Sequence, residues 1–124
     1  MPLDELMSSS DVVTLHVPLA PSTKGMIGRH ELSLMKPTAV IVNTCRGNVI
    51  DQEALYEVLK EKRIRGAGLD AHFREPAGPD YPFIGLDNVV LTPHYGGGTL
   101  DAIIIGVKHA YSNIAKVSRG EPLN

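Results

Sequence analysis

The stretch Ala39-Val40-Ile41-Val42-Asn43-Thr44-Cys45-Arg46-Gly47-Asn48-Val49-Ile50-Asp51-Gln52-Glu53-Ala54-Leu55-Tyr56-Glu57-Val58-Leu59-Lys60 decides the fold. Its first five residues are β-rich and apolar without strict alternation, the pattern of a strand buried on both faces, as in parallel sheets covered by helices. From Asp51 the period changes. Asp51 can cap, Ala54, Leu55, Val58 and Leu59 share one face, and Lys60, Lys62 and Arg63 sit near the negative end, which predicts a helix over 51–62.

Working outward, residues 12–16 and 89–91 read as further strands buried on both faces, and 67–70 as a weaker one placed where the next strand is due. A short helix is predicted from near Gly28 to before Pro37, and residues 3–9 form one or two turns ahead of the first strand. From Thr99 to about Val117, Ile103, Val107, Ala110, Ile114 and Val117 recur at three and four, predicting a long helix whose apolar stripe needs a packing partner. Strands alternating with helices predict an α/β fold. It is a partial Rossmann-like, doubly wound parallel sheet of about four strands with flanking helices and a long C-terminal helix.

The chain has 124 residues and 43% hydrophobic content, the size of one domain. Twelve basic against fourteen acidic side chains leave a net charge of -2, which offers no long-range attraction to nucleic acid or anionic membranes. A single cysteine, Cys45, excludes an internal disulfide and a four-thiolate metal site, and no metal site is expected. The first ten residues lack a basic start and apolar run, and no run of about eighteen apolar residues occurs anywhere. A soluble protein of the reducing cytoplasm is expected.

Three strand ends deliver charge. Arg46 follows Val42-Asn43-Thr44-Cys45, Glu75 lies beyond Asp70, and His94 follows Thr92-Pro93, so parallel strands would bring all three to one edge. The loop 71–86 between the last two strands, with Pro76, Pro79 and Pro82, lies where α/β sheets form ligand crevices. A guanidinium is a planar fork of donors for a carboxylate, and an imidazole beside a carboxylate is a tuned acid/base at neutral pH. Together they suit a 2-oxo or 2-hydroxy acid. Singly each has an ordinary reading: Arg46 as a turn holder, Glu75 as a loop acid, His94 as a structural or solvated histidine.

The surroundings are more specific than the residue types. Val42-Asn43-Thr44-Cys45-Arg46-Gly47, Asp51-Gln52-Glu53-Ala54-Leu55, Gly66-Ala67-Gly68-Leu69-Asp70, Glu75-Pro76 and Thr92-Pro93-His94 resemble, in order and spacing, the D-isomer-specific 2-hydroxyacid dehydrogenases, from about Ser10 to the end. The resemblance implies that Arg46 binds the substrate carboxylate and polarises its carbonyl, that His94 supplies the proton, and that Glu75 orients His94. It places Asp70 and the Thr44-Cys45 backbone near a nicotinamide carboxamide, Gly96 and Gly97 close to the same ring, and Val17, Pro18 and Thr23 at the adenosine end of NAD or NADP. Loop punctuation is an equal reading of Pro18 and Pro21. Cys45 reads as a small filler whose backbone matters more than its sulfur.

The resemblance also has gaps. The family's G-x-G-x-x-G turn, the acid that grips the adenine ribose and the separate substrate domain find no counterpart. Residues 1–124 are therefore expected to be the C-terminal portion of a dinucleotide-binding domain, with weak or no cofactor binding and little or no activity alone. Asp70 is followed by Ala71-His72 where the family usually has valine and an aromatic residue, and Tyr95 replaces a common aliphatic one. His72 receives no role from the sequence. The run from Pro76 to Phe83 and the step Gly98-Thr99-Leu100 are similar to formate dehydrogenases, where glutamine replaces the glutamate kept here as Glu75. Strand 12–16 would form an open edge, so a homodimer or a complementing chain is expected as partner. The alternative reading is a catalytically silent dimerisation or regulatory module derived from the family.

Overall fold

A computed structural model describes residues 1–123. They fall into two compact units, Met1–His94 and the residues from Tyr95 on. In the first, helix α1 (Leu3–Ser9), strand β1 (Val12–Leu15), helix α2 (Arg29–Leu34), strand β2 (Val40–Asn43), a 3₁₀ turn (Gly47–Val49), helix α3 (Gln52–Lys60) and strands β3 (Gly66–Leu69) and β4 (Val89–Leu91) follow in order. The strands form one parallel sheet in the order β1-β2-β3-β4, with Leu15, Asn43, Leu69 and Leu91 in register at its C-terminal edge.

Helix α3 starts where Asp51 Oδ1 accepts from Ala54 N at 2.9 Å, a side-chain cap on one of the orphan donors of the first turn. It ends two residues before Lys62, the end of the expected span. Lys62 turns left-handed at φ 53°, its N–H donating to Leu59 O while Arg63 N–H donates to Val58 O, the paired bonds that close a helix C-terminus. Ala54, Leu55, Val58 and Leu59 are buried, as their shared face requires. Full burial of each such leucine or valine stabilises by about 1.5–3 kcal/mol. Helix α2 begins at Gly28, whose N–H donates to Glu31 Oε2 at 2.8 Å.

One expectation needs correcting. Strands β1 and β4 are not buried on both faces: the burial of β1 alternates, with Val13 and Leu15 inside and Val12 and Thr14 outside, and Val90 in β4 is 68% exposed. Val13, Leu15, Ile41, Ala67 and Leu69 face Met7, Leu32, Leu55 and Leu59 in one core, so α1, α2 and α3 cover a single sheet face. Val12, Thr14, Val42, Gly68 and Val90 carry the other face, which no element of this unit covers. An apolar run without strict alternation shows only that a strand can be buried twice.

The second unit is dominated by helix α4 (Leu100–Ser118), capped where Thr99 Oγ1 accepts from Ala102 N at 3.2 Å. None of its residues is buried, so the stripe through Ile103, Val107, Ile114 and Val117 lies exposed. No helix among the described residues is long and apolar enough to cross a membrane.

Candidate active site at the C-terminal edge of the sheet

Because all four strands are parallel, the segments that follow them leave from one edge. Asn43, the last residue of β2, is fully buried and organises the first of these segments. Its Oδ1 accepts from Cys45 N at 3.1 Å and its Nδ2 donates to Arg46 O at 2.9 Å, which bends the chain through Thr44-Cys45-Arg46. Arg46 is exposed, with Nη1 donating to Cys45 O at 2.7 Å, one of the five N–H donors of its guanidinium. The next residue, Gly47, sits against the loop after β3: a Cβ there would lie 2.3 Å from the His72 carbonyl carbon and oxygen. Only glycine permits that approach.

The β3 loop carries Glu75. Its Oε1 accepts from the His72 backbone N–H at 3.0 Å and pairs with His94 Nδ1 at 2.7 Å. The His72 backbone N–H, opposed by partial burial and seconded by His94, holds the Glu75 carboxyl below the usual carboxylate range. Since Glu75 accepts, His94 carries its hydrogen on Nδ1, which leaves Nε2 as the nitrogen able to meet a substrate oxygen. Glu75 and His94 line a cavity of ≈ 300 Å³ with His72, Pro76, Ala77 and Pro93. Arg46 is not among its lining residues.

Asp70, at the end of β3, is buried at 6% exposure and accepts from Thr92 Oγ1 at 2.5 Å. It stands one strand from the Thr44-Cys45 backbone. For a pyrophosphate, no strand of the first unit runs through a G-x-G-x-x-G turn into a helix. Thr23, expected at the adenosine end, spends its hydroxyl inside its own loop, donating to Pro18 O at 2.6 Å and accepting from Ala20 N at 2.8 Å. Val17 and Pro18 stand in that loop after β1, while Gly96 and Gly97 belong to the second unit. Among the described residues Asp4, His30 and Glu31 could gather on a metal ion, but Glu31 Oε2 is already committed to the α2 cap.

Sequence reasoning assigned nothing to Asn43, Thr92 or His72. Asn43 had a signal in its position two residues after Ile41, which puts an amide on the buried face of a strand. A buried polar side chain must find partners, and here they are the backbone of the Arg46 turn.

With this geometry stands a family. Residues 1–96 match the model of the D-isomer specific 2-hydroxyacid dehydrogenases, NAD binding domain, and the chain belongs to that family. It is 46% identical over 121 residues to the glyoxylate reductase of Korarchaeum cryptofilum, covering 98% of this chain and 36% of that protein. Against the D-3-phosphoglycerate dehydrogenase of Methanocaldococcus jannaschii it is 48% identical over 119 residues, covering 96% and 22%. Among solved structures it is similar to an acyclic imino acid reductase in complex with NADPH and D-Arg, with a TM-score of 0.92 at 44% identity over 100% of this chain and 39% of that one. The D-lactate dehydrogenase with NAD+ from Lactobacillus jensenii gives a TM-score of 0.91 at 28% identity, covering 100% and 41%. The chain thus spans between 22% and 41% of the lengths of these four relatives.

Proposed function

We propose that the chain carries the acid/base half of an NAD(P)-dependent dehydrogenase that interconverts D-2-hydroxy acids and 2-oxo acids. The observation behind this reading is the 2.7 Å pair of Glu75 Oε1 and His94 Nδ1 at the sheet edge that also delivers Arg46. Arg46 binds the substrate carboxylate through its donor fork and polarises the adjacent carbonyl. His94 gives a proton from Nε2 to the developing alkoxide in reduction and takes it back in oxidation. Glu75 orients the ring and stabilises its protonated form. Asp70 and the Thr44-Cys45 backbone would hold the carboxamide of a dinucleotide, which would supply the hydride.

The reading is tested with NADH oxidation driven by glyoxylate, comparing the chain with its Arg46→Ala variant. A charge-assisted bond to a carboxylate is worth about 1.5–3 kcal/mol, so KM for glyoxylate should rise about 10- to 100-fold. An unchanged kcat/KM would remove Arg46 from the site.

The edge strand β1 supports a second, compatible property, pairing with another chain. It stands at one end of the strand order, and Val12–Leu15 holds none of the lysine or proline that usually blunts an edge.

A further inference from the structure

His72 is a titratable group at this edge that the proposed chemistry does not use, and its contacts are specific. It is 7% exposed, and its ring stands edge-on to Tyr81 with centroids 5.1 Å apart. Its Nε2 lies 2.8 Å from Thr92 O. A carbonyl only accepts, so Nε2 carries a hydrogen, and Nδ1 is buried with no hydrogen-bond partner among the described residues.

Thr92 O has a second donor. His94 N–H reaches it at 2.9 Å, closing a three-residue turn around Pro93, and His94 itself stands at φ 57°, the left-handed region that non-glycine residues enter only under constraint. The His72 backbone N–H meanwhile donates to the Glu75 oxygen that accepts from His94 Nδ1. One residue therefore touches both arms of the pair, the carboxylate through its main chain and the histidine turn through its ring.

We propose that His72 is a positioning residue for the Glu75–His94 pair, its Nε2–H fixing the Thr92 carbonyl on which the left-handed turn at His94 closes. The aromatic residue usual in the family at this place can pack on Tyr81 equally well and leaves no nitrogen unsatisfied. What histidine adds is the donor, and the buried Nδ1 is the penalty that accompanies it. The role rests on the acid/base reading of the pair given above, but its test reads geometry without turnover.

In the ¹⁵N-labelled chain, above the pH at which imidazoles titrate, His72 should show hydrogen on Nε2 and none on Nδ1. His72→Phe keeps a ring against Tyr81 and removes the donor, whereas His72→Gln returns an amide N–H to about the place of Nε2. Exchange of the His94 Nδ1 proton should become about tenfold faster in the Phe variant and return to within about threefold in the Gln variant, the effect of one lost neutral hydrogen bond. If His72 serves only to pack, the order reverses, with Phe tolerated and Gln disturbed. Hydrogen on His72 Nδ1 in the native chain, or unchanged exchange in His72→Phe, would overturn the proposal. Should the Phe variant not fold, His72→Asn, too short to reach Thr92 O, replaces it, and equal exchange in the Asn and Gln variants is then the overturning result. A chain that behaves as expected here but never reduces glyoxylate keeps this role and loses the proposed chemistry.

Discussion

Glu75 Oε1 serves two donors at once, a backbone amide and an imidazole. Both favour the ionised carboxyl, which is why its affinity for a proton falls below the ordinary value of 4.5. A carboxyl depressed in the folded state contributes stability above its unfolded value and loses it as the pH drops through the folded one. The difference in melting temperature between the native chain and Glu75→Gln should therefore be present at about pH 6 and shrink progressively below about pH 4.5. Its size is limited, because the Glu75 side chain is 42% exposed and solvent-screened pairs contribute under about 1 kcal/mol. Thermal melts across that range check this; a difference that grows toward acid pH contradicts it.

Among the elements, the decisive contact is between two loops, the bend after β2 and the start of the loop after β3. Gly47 meets the His72 main chain where a Cβ would stand 2.3 Å from the carbonyl, and backbone cannot swing aside as a flexible side chain does. Gly47→Ala must push the Arg46 bend away from the Glu75 loop. Overpacking of this kind destabilises by about 1–3 kcal/mol, so the urea midpoint should fall while the m-value holds. An unchanged midpoint would mean that the loops do not touch. The strands and helices at this scale were legible from the sequence, because the change of period at Asp51 and the strand-end motifs are local signals. The end of α3 at Lys60 was less so, since a left-handed Lys62 takes a place that sequence rules reserve for glycine. The Thr92 carbonyl, shared between His72 and the His94 turn, could not be read at all, because main-chain acceptors leave no mark in a sequence.

For the molecule as a whole, the first unit covers one face of its sheet and leaves β1 as an unblunted edge. We propose that this edge pairs with a second copy, and light scattering should then give about twice the 13.4 kDa chain mass at micromolar concentration. A monomer mass throughout would remove that expectation while leaving the site intact. The strand pattern announced burial on both faces, and only the coordinates show that one cover is not supplied within the first unit. What the family membership leaves open is the chemistry itself, which turns on His94 as proton donor. The direct measurement is glyoxylate-dependent NADH oxidation by the chain and by His94→Ala, at high enzyme and saturating cofactor. We expect a slow rate that falls about 10²–10⁴-fold in the variant, as loss of a general acid dictates. A glyoxylate-dependent rate undiminished by His94→Ala, or none in the native chain, would contradict the account.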